Sequence, residues 1–543
     1  MIGEMMSSQL LTSNIIKHAA RNHTSQEIIS RTVEGPIHRY SYGEFEKRCR
    51  LVANVLLDLG VARGDRIGTL AWNTHRHLEL YYGISGMGAV CHTINPRLFH
   101  DQLEYVINHA NDRFLFIDLT FVPLLEALQG KLTTVEAYII LTDRAHMPET
   151  ALKNVHSYED LMNNVSETYE WPQFDENMAC MLCYTSGTTG NPKGSLYSHR
   201  STMLHALCVM ASTAEVRLTL RSTVLCIVPM FHVGAWGYPF KAPIAGAKIV
   251  LPADRYDGEG LYELMEQEEV TLTAGVPTIV TVLLEEIRKQ TRAPKGLRYV
   301  LCGGSAPGVA LMKAFEEDFG VTFVQGWGMT ETSPVAAVNS RFAEQSELPE
   351  QEKYLAKRKA GRANFGIEAK IVDDQGRRLP EDGKSSGELL VRGPYIIGAY
   401  FDDQSATEAA FSHGWFRTGD VCVIEEDGTI MITDRSKDLI KSGGEWISSI
   451  DLENQAMLHP AVAECAAIAC HHPKWEERPL LVVVAKRGET ITKHDLLAFM
   501  QDKIAKWWIP DDIVFVDNLP HGSTGKVSKK DLRLQFQNYK LPQ

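Results

Sequence analysis

Nowhere in the 543 residues is there an uninterrupted apolar run of about 18 positions, the length a helix needs to cross a bilayer, so no membrane insertion is expected. The first 22 residues contain Glu4 and lack an apolar core of signal-peptide length, which points to a cytoplasmic protein. Positive charge is scarce as well. Lys and Arg number 55 against 68 Asp and Glu, a formal charge of -13, which argues against a nucleic-acid partner and leaves room only for a local basic funnel toward a small anion. Ten cysteines make no disulfide framework in a chain this long, and the one C-x-x-C, Cys180 and Cys183, lies in an apolar run without a second pair to complete a zinc site. Buried thiols are therefore expected.

Against these absences, residues 184–194 stand out. They read YTSGTTGNPKG, with five hydroxyl side chains, three glycines and one lysine in eleven positions. Gly187, Gly190 and Gly194 let backbone N–H groups turn toward an anion, Thr185, Ser186, Thr188 and Thr189 add donors, and Lys193 adds charge. The segment follows the apolar, strand-like run 178–183. It is not a Walker A loop, because Pro192 stands five places after Gly187 and Lys193 precedes its glycine.

The chain is too long for one hydrophobic core, and its 44% hydrophobic content is enough to bury several. Strand-like and helical patterns alternate through the first four hundred residues. Ser41 with Glu44 forms a capping box for a helix through Leu57, 66–72 and 90–94 read as strands, and 75–87 as a helix. Such alternation predicts parallel sheets covered by helices. The stretch 341–359, rich in Glu, Gln and Lys, predicts a solvated surface helix. The expected boundary falls at 434–438, giving a large unit 1–434 and a small α/β unit 435–543.

The phosphate-type loop resembles the signature of the adenylate-forming superfamily of acyl-CoA synthetases, adenylation modules and luciferases. Five further segments agree in order: QGWGMTE (325–331), GELLVRGP (387–394), WFRTGD (415–420), DRSKDLIKSGGE (434–445) and PHGSTGK (520–526). The FHVGAWGYP run at 231–239 draws the likeness toward medium-chain acyl-CoA ligases. The resemblance implies an α/β fold: a large N-terminal domain of helix-covered sheets with a β-barrel-like part, and a small, mobile C-terminal α/β domain. It also implies ATP, Mg²⁺ and coenzyme A as cofactors, a small carboxylic acid as substrate, and a homodimer.

Roles carried over by resemblance are these. Thr185, Ser186, Gly187, Thr188, Thr189, Gly190 and Lys193 hold the β- and γ-phosphates. Thr330 and Glu331 reach the α-phosphate, with Glu331 and Thr185 at Mg²⁺, a hard cation that takes oxygen ligands. Gly304, Ser305, Gln325, Gly326, Gly328 and Met329 line the nucleotide, and Trp327, where tyrosine is more usual, stacks on adenine. Asp420 accepts from the ribose hydroxyls with Arg435 beside it; half of a buried ion pair is the other reading of that carboxylate. Lys526 is the adenylation lysine, although His521 and Gly522 replace the more frequent Lys-Thr before it. Lys437 holds the hinge position, where an ordinary exposed lysine would look the same. Lys441, Gly443, Gly444 and Glu445 line the pantetheine tunnel, unless the two glycines are a plain tight turn. The acyl pocket is expected from 229–236 and 302–307, with His232, Trp236, Gly303, Gly304 and Pro307 at the substrate. His232 is an aromatic gate in this reading, and Trp236 either floors the pocket or packs in the core. A floor there favours short or medium acids such as 3-methylmercaptopropionate or pentanoate.

Overall fold

The computed structural model describes residues 3–185, 191–213, 216–340, 342–443, 445–501, 503–522 and 526–542. Three sheets organise them. In the first, parallel strands Arg66–Leu70, Val90–Thr93, Phe114–Ile117, Ala137–Ile140, Val155–Ser157 and Ala179–Tyr184 carry almost wholly buried side chains, as parallel sheets covered on both faces require. Helices follow their expected signals. Ser41 accepts from the Glu44 N–H while the Glu44 carboxylate accepts from Ser41, and the helix Tyr42–Asp58 grows from that box. The helix His75–Met87 starts at the Thr74 cap and stops at left-handed Gly88.

The second sheet joins a parallel half to an antiparallel half. Strands Thr223–Leu225, Lys248–Leu251, Leu272–Gly275, Tyr299–Cys302 and Thr322–Gly328 run parallel. From Thr322–Gly328 the order continues antiparallel through Val335–Val338, Gly361–Ala363, Thr429–Arg435, Trp415–Ile424, Ser386–Arg392 and Glu368–Val372. This antiparallel half is the barrel-like part, and its strand order is open at Glu368–Val372. The third sheet pairs Glu445–Ile447, Ile440–Ser442, Glu476–Ala485, Val462–His472 and Asp512–Phe515, with its own apolar core around Ile447, Leu452, Leu481 and Ile513. All ten cysteines are buried and free.

Stretch 341–359 departs from expectation. It forms two short helices, Phe342–Ser346 and Glu350–Lys357, because Pro349 supplies no N–H to continue a helix. One face is not solvated: Tyr354 is 2% exposed and Lys357 is buried against Glu316 at 2.6 Å.

Candidate active site

In open α/β sheets the carboxyl ends of parallel strands are where ligands gather. Three such ends converge here. Ala179–Tyr184 leads into Thr185, Tyr299–Cys302 into Gly303 and Gly304, and Thr322–Gly328 into Met329, Thr330 and Glu331. Cys302 lies in register with Gln325, so both loops leave one edge together. Glycine is required at 303, where a β-carbon would come within 2.7 Å of the Gly326 carbonyl oxygen.

The residues then assemble by charge. The N–H of Thr185 donates to the Lys193 carbonyl (2.9 Å) and the Lys193 N–H to the Thr185 hydroxyl (3.3 Å), closing the base of the loop between them. Ser186, Gly187, Thr188, Thr189 and Gly190, with Gly444, lie outside the described residues. Glu331, 5% exposed, accepts from the Tyr400 hydroxyl at 2.7 Å, and the Lys193 ammonium sits 5.1 Å from the Tyr400 ring centre. Burial pushes the Glu331 carboxyl up, with that hydrogen bond and the charges of Arg435 and Lys193 opposing it. Thr330, also buried, accepts at its carbonyl from Tyr197 (2.6 Å).

Asp420 is 3% exposed, in register with Arg435 on the neighbouring strand. One oxygen pairs with Arg435 (3.2 Å) and the other accepts from the Trp327 indole N–H (2.8 Å). The departure from tyrosine at 327 thus ties the ring to the carboxylate. Gln325 is buried with its side-chain oxygen lacking a partner among the described residues, an acceptor ready for a ligand donor.

Lys526 arrives from the C-terminal unit. A β-carbon at Gly304 would lie 3.4 Å from its Cε and 3.9 Å from its Nζ. Burial lowers its pKa to about 8, Arg435 and Lys437 add to the lowering, and Asp420 and Glu331 oppose it. His232 feels Lys526 and Arg97 as well as burial, and at a pKa of about 4 it is neutral at pH 7. Ser305 is exposed and Pro307 buried.

Trp236 stands on a left-handed turn: Val233, Gly234, Ala235, Trp236 and Gly237 all have φ between 44° and 75°. Its indole reaches Gly303, 3.2 Å from where a β-carbon would be, and lines a partly open cavity of about 20 Å³, room for about one water. That cavity is walled by Val209, Met210, Leu301, Val335 and Val338 as well as Trp236, whereas His232, Gly303 and Pro307 are not among its walls.

Lys441 and Gly443 make their contacts within the C-terminal unit, whereas Lys437 lies within charge reach of Arg435, Asp420 and Lys526. Gly443 (φ 61°) donates to the Trp475 carbonyl at 2.9 Å, and the Lys441 N–H to the Glu477 carboxylate at 2.8 Å, all within the third sheet. Glu445 opens the strand Glu445–Ile447 of that sheet. Lys437 lies in the exposed turn after the strand Thr429–Arg435, its pKa lowered by local desolvation and by Arg435. Tyr400, Arg97 and Trp327's bond to Asp420 carried no sequence signal that would have identified them, since each depends on contact across the fold.

Together, two buried carboxylates, Glu331 and Asp420, the cations Lys193 and Arg435, and Lys526 of the C-terminal unit against Gly304 make an arrangement that can take a nucleotide and a small anion. Residues 16–401 match the AMP-binding enzyme family and residues 451–526 the AMP-binding enzyme C-terminal domain, and the chain belongs to that family. It is 47% identical over 539 residues, 99% of each chain, to a 3-methylmercaptopropionyl-CoA ligase of Ruegeria lacuscaerulensis. It is 44% identical over 536 residues, covering 99% of this chain and 98% of the relative, to a medium-chain-fatty-acid–CoA ligase of Ectopseudomonas oleovorans. In fold it resembles an anthranilate CoA ligase in complex with anthranoyl-AMP, with a TM-score of 0.87 at 24% identity over 97% of each chain.

Proposed function

We propose that the protein is an ATP-dependent acid:CoA ligase that works through an acyl-adenylate on short to medium acids, with 3-methylmercaptopropionate the leading substrate. The observation that carries this is Lys526, delivered by the C-terminal unit against Gly304 and within charge reach of Glu331, Asp420 and Arg435. A carboxylate oxygen attacks the α-phosphorus of ATP and pyrophosphate leaves; a thiolate sulfur then attacks the acyl carbonyl and AMP leaves. Both transition states gather negative charge, so fixed cations and positioning suffice, without a protein nucleophile. Lys526 bridges the attacking carboxylate and the α-phosphate, Lys193 faces the outer phosphates, and Asp420 takes the ribose.

Among the described residues no three His, Cys, Asp or Glu side chains cluster as a metal site. Glu331 and Thr185 fit a magnesium ion that takes most of its ligands from phosphate and water, and it would neutralise phosphate charge there. The unpartnered Gln325 oxygen suits the nucleotide. We further place the domain division at 434/435 with Lys437 as hinge, Lys441 and the two glycines at the thiol's path, and the enzyme in the cytoplasm as a homodimer. No described helix is long and apolar enough to cross a membrane.

The 3-methylmercaptopropionate assignment rests on the 47% relative and on the bulk of the Trp236 indole packed against Gly303. Acid- and CoA-dependent AMP release across acetate to palmitate, with benzoate and 3-methylmercaptopropionate, tests it. The highest kcat/KM is expected for 3-methylmercaptopropionate or acids of similar length; a preference for palmitate refutes the substrate reading.

A further inference from the structure

The helix His100–Ala110 belongs to none of the motifs that mark the site, yet its last turn touches them. On the sheet face it packs against, Tyr184, Gly194 and Phe401 form one row across three neighbouring strands, Tyr184 in register with Gly194 and Gly194 with Phe401. The middle position has no side chain, and none fits. A β-carbon at Gly194 would lie 3.0 Å from the Phe401 Cβ and 3.3 Å from the Tyr184 Cζ. The two outer rings therefore close over the glycine, and His109 is set against both. Its Nδ1 shares a hydrogen bond with the Tyr184 hydroxyl at 2.7 Å, and its ring stands nearly perpendicular to Phe401 with centres 5.6 Å apart. Tyr105, one turn earlier on the same helix, stacks on the imidazole at 5.0 Å, and His92 backs the Tyr184 ring at 5.1 Å.

Each member of this row adjoins a group of the site. Tyr184 precedes Thr185, Gly194 follows Lys193, and Phe401 follows Tyr400, whose hydroxyl donates to Glu331. Thr185 and Lys193 are bonded to each other, so a shift of Tyr184 or Gly194 moves both. We propose that His109 is a positioning residue for the phosphates of the nucleotide: by joining Tyr184 to Phe401 over Gly194, it fixes where Thr185 and Lys193 stand relative to Glu331. The inference rests on the ATP-dependent reading above and extends it to a helix outside the motifs. Tyr184 is buried, so the hydroxyl left behind by loss of His109 is costly to leave unpaired. Misplacement of groups that hold a reactant is costly too, even when they make no bond in the reaction.

The test measures pyrophosphate exchange into ATP with pentanoate and, separately, thioester formation from supplied pentanoyl-adenylate and CoA. Wild type is compared with Tyr184→Phe, His109→Leu, His109→Asn and the double variant of the first two. Tyr184→Phe and His109→Leu should each raise KM for ATP about threefold or more, the worth of one hydrogen bond, while KM for the acid and the thioester step stay at wild-type values because the outer phosphates have left by then. His109→Asn, whose side-chain amide reaches the place of Nδ1, should recover most of the loss. The double variant should cost no more than the worse single one, as one shared bond requires. The proposal is overturned if Tyr184→Phe raises KM for ATP less than about threefold, or if the thioester step or KM for the acid changes as much. Tyr184→Phe removes a single oxygen and decides the matter even where His109→Leu fails to fold. Wild type without acid-dependent exchange would overturn the ligase reading and this proposal with it, whereas wild-type exchange with an unchanged KM for ATP in Tyr184→Phe overturns this proposal alone.

Discussion

Lys526 and Glu331 set opposite limits on the pH at which the site works. In its proposed bridging role Lys526 must be protonated, and its pKa of about 8, set by burial within the field of Arg435, Lys437, Asp420 and Glu331, predicts an alkaline limb of kcat/KM for adenylation near pH 8. In its proposed role beside a magnesium ion, Glu331 must be ionised. Its carboxyl is already raised by burial, and the Tyr400 hydroxyl is the largest influence holding it down. Tyr400→Phe removes that bond, so the acid limb of the profile should move to higher pH. An unmoved acid limb would separate Tyr400 from the chemistry. Lys526→Ala should abolish adenylate formation yet leave much of the thioester formation from supplied acyl-adenylate and CoA, because the bridge matters only before the adenylate exists. Equal loss of both half-reactions would refute that role.

At the scale of elements, the left-handed turn carrying Trp236 is the costly one. Val233, Ala235 and Trp236 hold φ of 44°, 47° and 54° with β-carbons in place, at roughly 1–2 kcal/mol each. Ala235→Gly removes one such clash, so stability should stay level or rise by up to about 1 kcal/mol, where Ala→Gly in an ordinary helix loses that much. Denaturant unfolding reads the difference, and a loss near 1 kcal/mol would mean the turn is not strained. The elements legible in the sequence were those specified locally. Ser41 and Glu44 lie three residues apart and cap the helix Tyr42–Asp58 from adjacent positions, and Thr74 and Gly88 bracket His75–Met87 in the same way. The strand expected at 66–72 ends at Leu70, where the chain turns for the Asp118 carboxylate to accept from the Trp72 N–H (2.6 Å). That partner is 46 residues away, out of reach of any local pattern. For the same reason Tyr400, 69 residues from Glu331, stayed invisible, while Lys193, Glu331 and Lys526 were marked by motifs.

The whole molecule joins its two units through few polar contacts. Arg358 pairs with Asp451 at 3.2 Å, and the Asp434 carboxylate accepts from the Ser449 N–H and hydroxyl at 2.6 and 2.7 Å. Lys437 lies three residues after Asp434 and two after Arg435, and its own N–H makes no hydrogen bond among the described residues. Lys437→Pro therefore breaks no such bond but fixes φ, and should spare adenylation while stopping acyl-CoA production, if rotation at this turn brings Gly443 toward the thiol. Wild-type acyl-CoA synthesis by the variant would place the hinge elsewhere. The most direct measurement of the central claim is acid-dependent exchange of labelled pyrophosphate into ATP without CoA. The account predicts exchange with 3-methylmercaptopropionate or pentanoate and none without acid; acyl-CoA formation with ADP as product and no exchange would contradict it.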